Sequence, residues 1–295
     1  MFAELIQTAY EFGSRHPAYR AGMSKAYRAL RWANRFRHHA HRRINGVTFE
    51  LDLSELIDGD LYFKGAFEPD TVSALETLAK PGDIVFDVGA NIGCHALRLA
   101  HLVGPTGQVI AFEPMSRAYR KLQRNRDLNP QLRNLRLEHL AVSNSSAAGR
   151  PATFRTSWKV FGPQKRVTTE TVAVVSLDDY VSRHRISRVD LVKIDVDGFE
   201  YKVISGATHA LVELRPSLVM ELGEYTLASV GDSLEMLVSL LHSLGYHIFD
   251  EKTRIRLTSY QDIAGSIPSD ATINVVCLHD ASLVTGHCCG VSNHK

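Results

Sequence analysis

Residues 83–93, Asp83-Ile84-Val85-Phe86-Asp87-Val88-Gly89-Ala90-Asn91-Ile92-Gly93, decide the fold of this chain. An apolar run from Ile84 to Val88 ends in a glycine-spaced turn, and a helical pattern of Ala96, Leu97, Leu99, Ala100 and Val103 follows at once. That is strand, tight loop, helix. Glycines let a ligand approach backbone that a Cβ would shield, and the helix start offers unpaired N–H groups. Taken alone, the Gly89-x-x-x-Gly93 spacing is equally that of a plain βα turn.

The next predicted strand, Gln108–Phe112, ends in Glu113 before Pro114. In a parallel sheet an acid at the end of the second strand lies beside the first loop, where its oxygens can accept both hydroxyls of a ribose. The pair of signals reads as adenosine binding. The loop lacks G-x-G-x-x-G, and Asn91 stands where a glycine would admit a pyrophosphate. S-adenosylmethionine therefore fits better than a nicotinamide dinucleotide, and an NAD(P)-type oxidoreductase is the competing reading.

A length of 295 residues and an apolar fraction of 44% suit one large domain or a domain with an appendage. No stretch of about 18 apolar residues predicts a membrane span, and the N-terminus, Met1-Phe2-Ala3-Glu4-Leu5, carries an acid early and is followed by no long apolar h-region, which argues against a secretory signal. The expectation is a cytoplasmic protein. Cys94, Cys277, Cys288 and Cys289 show no C-x-x-C spacing and read as free thiols, with Cys94 a small packing residue.

Charge is unevenly spread. Nine basic residues and no acid lie between Phe12 and Asn45, so the rest of a chain with net charge +2 carries −7. An acidic body argues against a nucleic-acid substrate, since binding phosphates needs a positive face. Residues 1–45 read as a basic helical extension with an apolar stripe of Tyr19, Met23, Tyr27, Leu30, Ala33 and Phe36. That stripe either packs on the main domain or meets a membrane surface or polyanion; the latter leaves a non-catalytic membrane- or polyanion-binding protein as a third reading. His38-His39-Ala40-His41 reads as the polar end of this helix, and no metal is assigned. Residues 46–280 form the main domain, and 281–295 a flexible tail.

Alternation of Val47, Phe49, Leu51 and Leu53 predicts a strand or hairpin. Glu68 before Pro69 reads either as a partner for a ligand ammonium or as a carboxylate at a helix N-terminus. A helix over Ser116–Asp127 and a strand over Leu135–Leu140 lead into Ala141-Val142-Ser143, where an adenine ring can lie. The stretch 145–175 reads as an inserted hairpin with its tip at Phe161-Gly162-Pro163, suited to carry acceptor specificity. A second chemical stretch, Val189 to Glu200, runs an apolar strand into Asp195, Asp197 and Glu200. Clustered carboxylates at a strand end repel unless something cationic is near: a sulfonium, a metal or Lys193. Strands at Ser217–Glu221 and Tyr246–Phe249 follow, and Ile273–Cys277 closes the sheet.

In this order Asp87–Gly93, Phe112-Glu113-Pro114, Ser176-Leu177-Asp178 and Lys193–Glu200 resemble the FkbM family of S-adenosylmethionine-dependent methyltransferases. The resemblance covers roughly residues 59–222. It implies an α/β, Rossmann-like class I methyltransferase sheet, mostly parallel, with seven strands, the last reversed, and helices on both faces. It also implies O-methylation of a sugar, polyketide or related small-molecule or glycan hydroxyl. By that resemblance Gly89 and Gly93 shape the S-adenosylmethionine loop, Glu113 holds the ribose, and Asp195 and Glu200 line the acceptor side; Asp87, Ala90 and Asn91 of the same loop, with Glu68, Ala141 and Val142 as read above, complete the expected cofactor site. Asp195, Asp197 and Glu200 are the catalytic candidates, with Asp195 first and Glu200 second as general base. Asp197 departs from the glutamate usual in the family, which shortens the side chain by one methylene.

Overall fold

The computed structural model describes residues 39–53, 55–144, 152–158 and 166–279. The expected helix through Phe36, the hairpin tip at 161–163 and the tail with Cys288 and Cys289 lie outside the described residues. Among those described, no helix is long and apolar enough to cross a membrane.

The described chain opens on a hairpin, β1 (His39–Ile44) and β2 (Val47–Asp52), joined by Asn45-Gly46 with both residues at positive φ, 47° and 88°. That pair is the sequence signature of a two-residue hairpin turn. It corrects the reading of His39-Ala40-His41 as a helix end. The apolar alternation of β2 needs a partner strand, and Asn45-Gly46 folds the basic run back to supply one, leaving His39, His41 and Arg43 exposed. Two helices follow, α1 (Leu56–Lys64), ended by Gly65 at φ 77°, and α2 (Pro69–Leu78), with proline in its first turn.

The core then alternates strand and helix: β3 (Ile84–Val88), α3 (Cys94–Val103), β4 (Gln108–Phe112), α4 (Ser116–Asp127) and β5 (Leu135–Glu138). After β6 (Ala141–Val142) comes the inserted hairpin, β7 (Ala152–Trp158) and β8 (Arg166–Val172), antiparallel as predicted, and β9 (Val174–Val175), which pairs β6. Next are α5 (Leu177–His184), β10 (Leu191–Ile194), α6 (Glu200–Ser205), α7 (Thr208–Leu214), β11 (Ser217–Leu222), α8 (Glu224–Ser229) and α9 (Leu234–Ser243). The chain finishes with β12 (His247–Asp250), β13 (Arg256–Leu257), α10 (Tyr260–Ser266) and β14 (Ile273–Leu278).

One sheet carries the order β13-β12-β14-β11-β10-β3-β4-β5. Strands β11, β10, β3, β4 and β5 are mutually parallel, and β14 runs antiparallel to both of its neighbours. The last strand is reversed, as expected, and sits between β11 and β12, and the two-residue β13 makes eight strands where seven were expected.

Both faces of the sheet are covered, which is why its central strands read as unbroken apolar runs. Phe86 and Phe112 point to one face and meet Tyr180 of α5, with ring centroids 6.1 and 4.9 Å from the tyrosine's. Val85, Val109 and Ala111 point to the other, against Leu97 and Ala100 of α3, and the β2 residues Val47, Phe49 and Leu51 belong to the same buried cluster. The amino-terminal hairpin is therefore part of the main core.

Candidate functional site

The parallel strands end together at one edge of the sheet, and the order reverses direction between β3 and β10, so ligands are expected outside those carboxyl ends. A cleft of about 330 Å³ opens there, within the size of small-molecule sites.

Its floor is the β3 turn. Gly89 has φ 84°, and a Cβ on it would come 1.9 Å from the backbone oxygen of Asp195, so only glycine lets β3 and β10 end side by side. Gly93, at φ 89°, starts α3, where a Cβ would strike Leu97 and Leu122. Between them Asn91 holds φ 50°. Its N–H donates to Glu113 Oε2 at 2.8 Å, while the N–H of Met115 donates to Oε1 at 2.7 Å. Glu113 is buried, and loss of hydration lifts its carboxyl to about 7 against the opposing pull of these two N–H groups. Each oxygen keeps a second lone pair for a ligand hydroxyl.

Glu68, Gly89, Asn91, Glu113, Ala141, Val142, Asp195 and Asp197 all line the cleft, as the sequence predicts. Asp87, Ala90, Gly93 and Glu200 are not among the lining residues. Asp87 is buried behind the turn, 3.6 Å from Lys193 Nζ, which also reaches Asp195 Oδ2 at 3.2 Å and donates to Gly89 O at 3.4 Å. Of the cations named for the carboxylate cluster, Lys193 is thus seen against Asp195. Burial opposes its charge, but Asp195 and then Asp87 reverse that and hold the ammonium form. Glu200 turns back into its own loop, where Oε1 accepts from the N–H groups of Val196 and Gly198 at 3.1 and 3.2 Å. Desolvation raises it to about 7. It braces the loop that carries Asp197 rather than facing a ligand.

Glu68 occupies the left-handed region at φ 48° and Asp197 does so at φ 51°. With Asn91 this makes three cleft residues in a conformation that costs non-glycine residues about 1–3 kcal/mol each and clusters at functional sites. Glu68 sits 3.5 Å from buried His95 of α3, immediately before α2, and it lines the cleft.

Several lining residues were not among the predicted site residues: Glu55, Leu56, Ile57, Phe67, Phe199 and Glu221. The first three lie at the start of α1, which is clamped to α4 by Lys121, ion-paired with Asp58 and, at 3.3 Å, with Glu55. The inserted hairpin is tied alongside, through Glu170 accepting from the N–H of Ser116 at 2.9 Å, one residue past the cleft residue Met115. Glu221 was legible as a carboxylate at a strand end. Among the described residues the cleft carries six carboxylates and no Lys, Arg or His. That suits a cationic ligand and offers no side chain to a pyrophosphate.

Compared with known proteins, residues 87–248 match the model of the methyltransferase FkbM domain. The chain is 31% identical over 147 residues to a hexuronic acid methyltransferase of Haloferax volcanii, a match covering 49% of this chain and 58% of that protein. It is 28% identical over 205 residues to the 31-O-demethyl-FK506 methyltransferase of Streptomyces tacrolimicus, covering 59% and 76%. A 2-O-methyltransferase of Sinorhizobium fredii is 28% identical over 156 residues, covering 47% and 63%. The chain thus spans somewhat more than half the length of the first of these relatives.

Proposed function

This chain belongs to the methyltransferase FkbM family, and from that premise we propose that it moves the methyl group of S-adenosylmethionine to a hydroxyl of a sugar or polyketide-like acceptor. The observation that carries the reading is the buried Glu113 carboxylate, fixed by two backbone N–H groups beside the glycine turn. It stands where a ribose diol would be gripped, in a cleft whose acids match a sulfonium and an ammonium. When bound, the cofactor supplies an electrophilic methyl group.

The protein's own part is orientation and electrostatics. Glu113 anchors the nucleoside end and Ala141 and Val142 flank the base, while Glu68 and the Gly89 turn receive the amino-acid end. Asp195, held by Lys193, and Asp197 border the point of transfer. Fixing two reactants in line is worth up to about 7–11 kcal/mol of a barrier. Relatives named for hexuronic acid, 31-O-demethyl-FK506 and a 2-O position support an alcohol acceptor.

Incubation with methyl-tritiated S-adenosylmethionine and a panel of methyl hexosides, hexosaminides, hexuronides and macrolide alcohols tests this. Tritium should appear in an ether-linked product. Retention of all label in the cofactor, by protein that binds it, would contradict the proposed acceptor class.

A further inference from the structure

If the reading above holds, a proton must leave the acceptor hydroxyl, and the structure discriminates among the carboxylates that could take it. Asp195 already accepts from Lys193 Nζ through Oδ2. Glu200 is buried outside the cleft, with Oε1 on backbone N–H groups. Glu113 lies at the far end of the cleft, at the end of β4. Asp197 is exposed at the loop tip.

Glu221 is differently placed. It lines the cleft from β11, in the order β4-β3-β10-β11. Strand spacing of about 4.8 Å puts β10 roughly 10 Å from β4 and β11 one step beyond. A cofactor laid from Glu113 toward Asp195 therefore leaves Glu221 on the side from which an acceptor arrives. Its carboxyl is oriented: Thr272 Oγ1 donates to Oε1 at 2.6 Å. Gly223 makes that possible, because a Cβ there would lie 2.6 Å from Thr272 Cγ2.

We propose that Glu221 is the general base of the transfer. The acceptor oxygen bonds to the methyl carbon as the carbon–sulfur bond breaks, and the hydroxyl proton passes to Glu221, which returns it to water after product leaves. The surroundings fit the role. Burial first, then the charge of Asp195, with Glu200 and Asp197 adding to it, lift this carboxyl to about 8 against the Thr272 hydrogen bond. A base is most effective near the working pH.

Two measurements on the full chain test this. In the first, Glu221→Gln and Glu221→Asp are compared with wild type on an acceptor from the screen above. Glu221→Gln should lower kcat by about 10²–10⁴-fold with affinity for S-adenosylmethionine unchanged and the alkaline-rising limb of the rate profile gone, and Glu221→Asp should restore part of kcat. A rise in KM alone, with kcat and the pH limb retained, would overturn the proposal. In the second, which needs no acceptor, carboxyl-labelled protein is titrated by carbon-13 NMR. A resonance titrating near pH 8 and missing from Glu221→Gln is expected, whereas Glu221 titrating in the ordinary carboxylate range would overturn the assignment. Failure of wild type to bind the cofactor would instead strike the proposed function.

Discussion

At the scale of single residues the cleft depends on atoms that are missing. Gly89 contributes no side chain, and that absence lets the ends of β3 and β10 touch. Gly89→Ala would place a methyl group on the Asp195 carbonyl and force alanine to φ 84°, a strain of about 1–3 kcal/mol before any clash is relieved. The variant should unfold at clearly lower denaturant concentration and lose cofactor binding; wild-type stability in a urea titration would contradict the steric argument. Gly89 and Glu113 were legible because the chemistry dictates both residue type and place. Asp87 and Glu200 were misplaced for the opposite reason: spacing locates a carboxylate on the chain but not the direction it turns. In the fold Asp87 faces Lys193 and Glu200 faces two N–H groups of its own loop.

Among the elements, α4 does the joining. Asn125 accepts from the N–H of Glu50 at 2.8 Å and donates to Ile92 O at 2.9 Å, tying β2 to the cofactor loop. Asn129 repeats the device, bonding both the N–H and the carbonyl of Thr48. Asn125→Ala leaves buried backbone groups unpaired, which costs about 1–3 kcal/mol, and it should weaken S-adenosylmethionine binding as the loop loosens. Chemical denaturation and a binding titration check both; lower stability with undiminished affinity would mean that the hairpin does not brace the loop. Strand β2 was readable from its alternation, whereas its partner β1 was read as a helix end because the Asn45-Gly46 turn was not used. Helix α1 was not, since its value lies in Glu55 and Asp58 meeting Lys121 across more than 60 positions of sequence. The apolar spacing of Leu56, Ile57 and Leu61 before Gly65 is the signal that would have found it.

For the whole molecule, the parallel half of the sheet follows from strand–turn–helix repetition, whereas insertion of β14 between β11 and β12 follows from packing that no local pattern records. The charge balance has a global consequence. Glu113, Glu200 and Glu251 each rise to about 7 from 4.5, chiefly through burial. The folded state then holds more protons than the unfolded state between those values, so stability falls as pH rises through that window. Acids held below their ordinary values, such as Asp250, act only at lower pH. Thermal unfolding of the ligand-free protein should come several degrees earlier at pH 8 than at pH 5; a melting temperature that climbs over this range would refute the burial of these acids. The central claim is that the Gly89–Glu113 cleft binds S-adenosylmethionine, and calorimetric titration with that cofactor and with S-adenosylhomocysteine, on wild type beside Glu113→Ala, tests it most directly. Saturable one-to-one binding to wild type, lost or greatly weakened in the variant, is the predicted result. No heat of binding to folded wild-type protein, or equal affinity in Glu113→Ala, would contradict it.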